Sequence, residues 1–347
     1  MPRTVLVCGV QVPLVSGGAE LLGRSLSAEL VRRGYDAEQV TLPFKSYPKE
    51  EILSHAAAWR LLDLSESNGR PIDLVIGTKF PSYWARHPRK VAWVMHQYRA
   101  AYELCGTEFS DFDHVEGDVA LRAALVDLDT RMLRECRRIY ALSRNTARRL
   151  KTYNDIDAEP LYHPSHLAPR LFSAPAGRYV LSVARLEPVK RVTMAIEAMV
   201  HVDPGIRLIH VGEGSQGRQC RALVERLGLE DRVRFAGTID DDALVRLYAE
   251  ALAVVYAPYD EDYGYVTLEA FLARKPVITA SDSGGTLEFV EDGVNGAICE
   301  PRPEALAAAI NACAADRRRA AEQGDAGYER ASIVTWDGVI ERLTEAG

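Results

Sequence analysis

Short apolar runs alternate with longer segments of helical periodicity along this chain, in two series separated by a proline-rich stretch. Nearly continuous apolar runs are typical of strands in parallel sheets, which are buried on both faces. Strands and helices that alternate in this way build doubly wound α/β sheets. We therefore predict an α/β protein with two Rossmann-like domains facing a cleft. The predicted strands are 4–10, 38–43, 73–78, 90–95 and 138–143 in the first series, and 179–186, 206–212, 233–237, 253–258 and 276–281 in the second.

The length of 347 residues is too great for one ordinary hydrophobic core and agrees with two domains. We place an N-terminal domain at 1–165, a linker at 166–178 and a C-terminal domain at 179–332. We also predict a last helix at 333–347, and one option is that it packs back on the N-terminal domain. Doubly wound sheets bind ligands at the carboxyl ends of their strands, so the cleft between the domains is the predicted site.

Composition excludes several functional classes. The net charge is −7, with 42 basic and 49 acidic residues, which does not predict a nucleic-acid-binding protein. No apolar run approaches the roughly 20 residues that span a bilayer, the N-terminus lacks signal-peptide features, and the six cysteines form no C-x-x-C pair. These features favour the cytoplasm. A basic cluster within 131–151 fits solvated helix faces, with a patch for anionic lipid head groups, and so peripheral contact with the inner face of a membrane, as the alternative.

Two positions in the first half could carry function. Gly17 and Gly18 follow the first strand and open a helix, where glycine lets a backbone approach a ligand and the helix N-terminus favours an anion. A simple tight turn is the alternative. His96 follows the strand 90–95, where α/β sites form, although local hydrogen bonds would also explain a histidine there. The residues after it are aromatic and polar. The candidates there are Tyr98, Arg99 and Tyr102, while Trp93 is assigned to the core.

In the second half, Arg185 ends a strand and Lys190 opens the next helix. Two permanent cations at one strand end are costly together unless an anion lies between them, and a diphosphate is the obvious candidate. The alternative is a pair in an exposed loop. Gly212 belongs to another glycine-rich turn between strand and helix. Glu261 and Glu269 flank a predicted helix start at Gly264. The alternative is that neither has a function, Glu261 being a solvated acid of the loop and Glu269 an exposed acid of the helix.

This ordered set of motifs resembles the retaining family-4 glycosyltransferases, which have the GT-B fold. The resemblance covers nearly the whole chain and is strongest from Tyr179 to Ile298. Its specific signals are the E-x7-E pair formed by Glu261 and Glu269, GGAE at 17–20, ARLEPVKR at 184–191, VGEGS at 211–215, FAGTIDDDALVRLYAEA at 235–251 and GGTLEFVEDGVNG at 284–296.

The resemblance implies a nucleotide-diphosphate-sugar donor, a UDP- or GDP-sugar, held mostly by the C-terminal domain. Arg185 and Lys190 would grip the diphosphate, toward which the helix starting near Gly264 points its N–H groups. Glu269 would accept hydrogen bonds from the ribose, and Glu261 from the donor sugar. The implied catalytic residues are His96, Arg185, Lys190 and Glu261. The implied donor-binding residues are Gly17, Gly18, Gly212, Gly264, Tyr265, Val266 and Glu269, with Tyr98, Arg99 and Tyr102 on the acceptor side.

The implied reaction moves a hexosyl unit with retention of configuration to a hydroxyl of a glycan, a lipid-linked acceptor or a small molecule. The β-phosphate oxygen would take the acceptor's proton. Because Arg185 and Lys190 already supply positive charge, we expect no cofactor and no essential metal. Asp-x-Asp triplets such as those at 111–113, 127–129, 155–157 and 260–262 can hold a metal ion, but several are expected by chance among 49 acidic residues. Two departures from the family pattern are Tyr265 in place of a small or aliphatic residue, and Arg191 in place of glycine, which suggests extra positive charge beside the diphosphate.

Other functions fit the same fold. A nucleotide-sugar epimerase or hydrolase would need acid and base residues that His96 alone does not provide. A non-catalytic sensor of nucleotide sugars is disfavoured because both glutamates and both cations are present. An NAD-dependent dehydrogenase would need G-x-G-x-x-G after the first strand, and CGVQVPLVSGGAE does not contain it.

Overall fold

The computed structural model describes residues 3–12 and 17–345. The chain divides into two compact units. The N-terminal unit comprises the described residues up to His163 together with those from Thr335 onward, and the C-terminal unit is Pro164–Val334. The predicted linker, 166–178, falls inside the second unit, where Ala174 N–H donates to the carbonyl of Ala249 at 3.0 Å.

The N-terminal unit is built on a parallel sheet with the strand order β2-β1-β3-β4-β5-β6. Its strands are β1 (Thr4–Gln11), β2 (Asp36–Pro43), β3 (Leu74–Gly77), β4 (Lys90–Val94), β5 (Arg138–Ala141) and β6 (Glu159–Pro160). Its helices are α1 (Gly18–Arg32), α2 (Ile52–Leu61), α3 (Glu116–Arg134) and α4 (Arg144–Asn154), and a short antiparallel pair joins Glu66–Ser67 to Arg70–Pro71. Every residue of β3 and β4 is buried, as the continuous apolar runs predict.

The C-terminal unit repeats the plan with the parallel strand order β9-β8-β7-β10-β11-β12. Its strands are β7 (Tyr179–Val183), β8 (Arg207–Val211), β9 (Val233–Gly237), β10 (Ala253–Val255), β11 (Val277–Ala280) and β12 (Gly296–Cys299). Its helices are α5 (Val192–Ala198), α6 (Gly217–Arg226), α7 (Asp241–Glu250), α8 (Tyr265–Leu272), α9 (Pro303–Ala315) and α10 (Arg317–Ser332). The predicted fold class of two doubly wound α/β domains is therefore confirmed.

The last helix, α11 (Asp337–Glu345), belongs to the N-terminal unit. Tyr140 at the end of β5 donates its hydroxyl to the carbonyl of Arg342 at 3.1 Å, and the Arg342 guanidinium pairs with Glu159 of β6. The Trp336 ring lies 6.3 Å from that of Trp93 and 5.3 Å from that of His163. Among the described residues, no helix combines the length and the apolarity needed to cross a bilayer.

Candidate functional site

The loops at the carboxyl ends of the C-terminal strands are tied to one another by main-chain hydrogen bonds. Leu186 N–H, after β7, donates to the carbonyl of Glu213 at 3.1 Å, and Tyr259 N–H, after β10, donates to that of Val189 at 2.8 Å. Gly285 N–H, after β11, donates to the carbonyl of Glu261 at 2.7 Å. Four consecutive loops of this sheet edge thus form one surface, as the switch-point rule for α/β sheets predicts.

Gly212 is required by this close packing. Its φ is +125°, and a Cβ at this position would lie 2.1 Å from the carbonyl oxygen of Ala184. No L side chain fits there without moving the segment that carries Arg185. The glycine-rich turn after β8 therefore sets the backbone position of one predicted diphosphate ligand.

Lys190 and Glu261, which the sequence places 71 residues apart, form an ion pair. Their side chains are 15% and 11% exposed. The Lys190 ammonium lies 6.0 Å from the ring centroid of Tyr256. Burial and the neighbouring Glu261 carboxylate raise the pKa of the Tyr256 hydroxyl well above its usual value, so it stays protonated beside the acid. Because both side chains are mostly shielded from solvent, water screens their attraction less than it would in an exposed pair.

Arg185 is exposed at the same edge. Within residues 3–12 and 17–345, no carboxylate forms an ion pair with its guanidinium. Of the two cations that the sequence assigns to a diphosphate, Lys190 is therefore balanced by Glu261, and Arg185 carries the uncompensated charge. An anionic group at this edge would meet a planar guanidinium with several N–H donors that no acid of the described chain occupies.

Arg191 does not add charge to this edge, contrary to the expectation from the sequence. Its guanidinium binds both oxygens of Asp282, at 2.6 and 2.8 Å, and donates to the carbonyls of Ala257 and Pro258 at 2.9 Å each. The bidentate carboxylate neutralises the charge of the guanidinium. Arg191 is also the N-cap residue of α5, with a φ of +48°. Arg191 thus cross-links the loops after β7, β10 and β11 through its hydrogen bonds.

The N-terminus of α8 lies beside these charges. Gly264, with a φ of +83°, precedes the first helical residues, Tyr265 and Val266, whose N–H groups have no acceptor within the helix. A Cβ on Gly264 would lie 2.8 Å from the Thr286 hydroxyl and 3.5 Å from that of Thr267. Both hydroxyls are fully buried and lack a hydrogen-bond partner among the described residues. The helix dipole makes the start of α8 electropositive. The two buried threonine hydroxyls behind it were not found from the sequence.

The helix carries Glu269 one turn further on, where it is 6% exposed. Its oxygens accept hydrogen bonds from the Ser165 hydroxyl at 2.6 Å and the Tyr248 hydroxyl at 2.8 Å. Burial raises the pKa of the Glu269 carboxyl, and these two donors partly offset the rise. The carboxylate is held in one orientation and keeps acceptor capacity on each oxygen. The expected contact with a ribose remains a prediction.

The N-terminal unit holds the other predicted donor residues. Gly17 has a φ of −158°, which any residue adopts, and a Cβ there would meet nothing closer than 3.6 Å. Neither strain nor crowding among the described residues explains a glycine at this position. Its N–H donates to Glu20 at 2.8 Å, and Gly18 is the first residue of α1. The residue before this pair, Ser16, lies outside the described residues.

His96 follows β4, half-buried, and its Nδ1 lies 2.7 Å from the carbonyl oxygen of Gln97. Tyr98 packs its ring against Phe44 and Phe80, at centroid distances of 6.4 and 5.7 Å, and stays partly exposed. Arg99 pairs with Glu103. These positions are compatible with the roles that the resemblance implies, and none of those roles is tested by them.

The position of Tyr102 does not fit its predicted role on the acceptor side. It is 1% exposed, and its hydroxyl donates to Asp129 at 2.7 Å inside the core. A buried ring whose polar atom is already bound cannot stack on an acceptor, so the acceptor-side prediction is not supported for this residue. The aromatic composition of the segment did not distinguish Tyr102 from its more exposed neighbour Tyr98.

Among the described residues, no group of three or more histidine, cysteine or acidic side chains is arranged to hold a metal ion. In the Asp-x-Asp triplet at 127–129, Asp127 pairs with Arg131 on the surface, whereas Asp129 is fully buried. The absence of an essential metal remains an expectation.

The second unit is similar to a family of known proteins. Residues 169–330 match the family model described as Glycosyl transferases group 1. The D-inositol 3-phosphate glycosyltransferase of Geodermatophilus obscurus is 34% identical over 181 residues, covering 48% of this chain and 39% of that protein. The alpha-1,3/1,6-mannosyltransferase of Homo sapiens is 30% identical over 167 residues, covering 44% and 40%. The matches thus span about two fifths of the length of these curated relatives.

Solved structures resemble the whole chain. Anabaena HepE in complex with UDP and glucose has a TM-score of 0.71 at 21% identity, with 99% of both chains covered. Sucrose-phosphate synthase from Thermosynechococcus elongatus has a TM-score of 0.75 at 20% identity, covering 99% of this chain and 98% of that one. At this identity the similarity concerns the fold, and it confirms the predicted GT-B architecture of two Rossmann-like units. Over residues 169–330, the chain is thus similar to the glycosyltransferases of group 1.

Proposed function

We propose that this protein is a retaining glycosyltransferase that moves a hexosyl unit from a UDP- or GDP-sugar to an acceptor hydroxyl. One observation carries the proposal: the buried Lys190–Glu261 pair lies at the sheet edge that also presents Arg185, within the segment that matches the family. A cation and an acid held together there can bind the two chemically different ends of a sugar diphosphate.

Each group at this edge has a defined task in the proposed reaction. Arg185 and Lys190 offset the negative charge that grows on the diphosphate as the sugar leaves. The N–H groups at the start of α8 contribute to the same stabilisation. Glu261 accepts a hydrogen bond from a hydroxyl of the donor sugar and orients Lys190. The HepE structure with UDP and glucose supports UDP as the first nucleotide to examine.

The transfer step needs no protein base. The acceptor oxygen forms a bond to the anomeric carbon on the face from which the diphosphate departs, and the bond from that carbon to the β-phosphate oxygen breaks. The acceptor's proton passes to a phosphate oxygen, so retention of configuration follows. We propose that the reaction requires no metal, because the two cations supply the positive charge.

The acceptor is proposed to be a glycan, a lipid-linked oligosaccharide or a small molecule. His96, Tyr98 and Arg99 are the proposed contacts from the N-terminal unit, with Gly17 and Gly18 as a backbone contact to the donor. We further propose a cytoplasmic protein with no nucleic-acid partner. Peripheral contact with a membrane surface is a proposal that rests on the basic cluster in 131–151.

Thermal unfolding with UDP, GDP, ADP and dTDP, each with and without Mg²⁺, tests the donor site. A diphosphate at about 100 times its dissociation constant should stabilise the unit that binds it by roughly 2.7 kcal/mol, which raises the midpoint by several degrees. We expect UDP or GDP to do so without Mg²⁺.

Variants show whether the shift belongs to this site. Arg185→Ala should abolish it because the change removes a guanidinium that pairs with no carboxylate in the described part of the chain. Arg318→Ala is the matched control, since Arg318 is an arginine of the same unit, 83% exposed on α10. The proposal fails if no nucleotide diphosphate shifts the midpoint, or if the two variants reduce the shift equally.

A further inference from the structure

The Glu269 carboxylate is held by two hydroxyl groups to which the sequence assigned no role. Ser165 donates to its Oε1 at 2.6 Å, and Tyr248 on α7 donates to its Oε2 at 2.8 Å. Ser165 is 2% exposed, and Tyr248 is fully buried. Each carboxylate oxygen thus has one side-chain donor among the described residues. Since a carboxylate oxygen accepts about two hydrogen bonds, each keeps capacity for one more.

Both hydroxyls have their hydrogens directed at Glu269. The Ser165 hydroxyl accepts the N–H of Leu167 at 3.2 Å, in a local turn that fixes its side chain and leaves its one hydrogen for the carboxylate. Burial and the neighbouring acid raise the pKa of the Tyr248 hydroxyl well above its usual value, so it stays protonated and continues to donate. The two donors are therefore defined before any ligand binds.

The segment that begins at Ser165 runs along α7, the helix that carries Tyr248. The Arg170 guanidinium pairs with the two acids in the first turn of that helix. Further along, Ala174 N–H donates to the carbonyl of Ala249 at 3.0 Å. The segment that the sequence predicts as a linker thus joins the structure around Glu269, because it fixes one of the two donors against the helix that supplies the other.

A carboxylate with one remaining acceptor position on each oxygen suits a ligand with two neighbouring hydroxyl groups. The 2′ and 3′ hydroxyls of a ribose lie on adjacent carbons and on the same face of the ring, so one carboxylate can accept from both. A deoxyribose would leave one oxygen of the 6% exposed Glu269 without its second donor. A charged acceptor that is buried without its partner is costly, so the missing hydroxyl should lower the affinity strongly.

We infer that Ser165 and Tyr248 are positioning residues that hold the Glu269 carboxylate for both hydroxyls of a ribose, and so make the site select ribonucleotides over deoxyribonucleotides. The inference rests on the proposed function in placing a nucleotide diphosphate at this site. A glutamate side chain has several rotatable bonds. Because the two hydroxyls restrict these bonds in the free protein, less conformational entropy is lost when the ribose binds.

Four hydroxyl deletions in the same unit provide a matched test. Ser165→Ala and Tyr248→Phe each remove one donor from Glu269. The controls are Ser182→Ala and Tyr179→Phe, since the Ser182 hydroxyl contacts a histidine of β8 and the Tyr179 hydroxyl donates to a main-chain carbonyl of α7. Each control removes a hydroxyl of the same type and leaves the carboxylate with both donors.

The measurement is isothermal titration calorimetry of the full-length protein with UDP, 2′-deoxy-UDP and 2′,3′-dideoxy-UDP, or with the guanosine series if GDP gives the midpoint shift. We expect the wild type and both controls to bind UDP about tenfold or more tightly than the dideoxy form. In Ser165→Ala and Tyr248→Phe this preference should fall to about threefold or less, mainly through weaker binding of UDP. If these residues served only packing, all three nucleotides would weaken alike and the preference would stay.

A double variant shows whether the hydroxyls act through the carboxylate. Glu269→Ala should abolish the ribose preference, and adding Ser165→Ala to it should change the preference no further. Ser165→Ala and Tyr248→Phe test the inference independently, so either one that folds is decisive. A wild type without ribose preference, or variants that keep it, would overturn the inference and leave the proposed donor site standing. Binding of neither UDP nor GDP would count against the proposed function, and the inference would fall with it.

Discussion

Replacing Lys190 by methionine should lower the rate of sugar transfer by about 10³-fold. Groups aimed at charge that develops in a transition state are worth this much when the site excludes water, and the Lys190 side chain is only 15% exposed. Methionine retains most of the aliphatic stem and removes the charge. The measurement is nucleotide diphosphate release from the donor, with binding of the bare nucleotide followed in parallel.

A double variant separates catalysis from charge balance. If Lys190 served only to neutralise the 11% exposed Glu261, then Lys190→Met with Glu261→Gln would remove both buried charges and restore the rate. We expect no restoration, because the positive charge opposite the diphosphate is still missing. Recovery to within about threefold of the wild type would assign the pair to stability instead of catalysis.

Arg318→Ala is the control for unspecific loss of positive charge. Its side chain is 83% exposed and pairs with Glu322 on the same helix, a contact of little energetic value. It should leave transfer unchanged. A comparable loss in this variant would show that net charge, and not the position of Lys190, determines the rate.

The sheet architecture was accessible from the sequence because its signal is local. Continuous apolar runs marked the buried strands, and the predicted strand 233–237 coincides with β9 (Val233–Gly237). The predicted strand 179–186 ends early, at Val183, because the backbone turns at Ala184 to pack against Gly212. That turn depends on a contact between residues 28 positions apart, which no local pattern contains.

The candidate site shows the same limit. Motif spacing identified Lys190 and Glu261, but not their ion pair, since nothing in the sequence relates them across 71 residues. Arg191 looked like additional charge until the bidentate contact with Asp282 became visible. Tyr102 was predicted to stack on a sugar acceptor, because aromatic composition does not show which ring is buried. The sequence was enough to select residues whose chemistry suits the site. The contact partners of these residues and their burial could be seen only in the folded structure.

Replacing Asp129 by alanine should destabilise the N-terminal unit by about 3 kcal/mol or more, because three buried donors lose their acceptor. The change leaves the Tyr83 and Tyr102 hydroxyls and the Trp84 indole buried without their acceptor, and each buried donor without a partner costs about 1–3 kcal/mol. All four tryptophans, Trp59, Trp84, Trp93 and Trp336, belong to this unit, so tryptophan fluorescence during urea unfolding reports on it selectively.

Asp127→Ala is the matched control for this change. Asp127 lies on the same helix, 67% exposed, and pairs with Arg131, so its loss should cost no more than about 0.5 kcal/mol. Equal unfolding midpoints for the two variants would show that the buried donors find other partners, and that the cluster around Asp129 does not stabilise the unit.

The pH dependence of unfolding gives an independent check on the same carboxyl group. Burial raises the pKa of Asp129 from 3.8 to about 6, even though the three donors favour its ionised form. Between these two values the folded protein binds a proton that the unfolded chain releases, so the free energy of unfolding falls as the pH rises from about 4 to about 6 and then levels off. Asparagine does not titrate, so Asp129→Asn should lack this part of the profile. A variant that keeps the wild-type slope over this interval would show that other groups produce it and that Asp129 is ionised throughout.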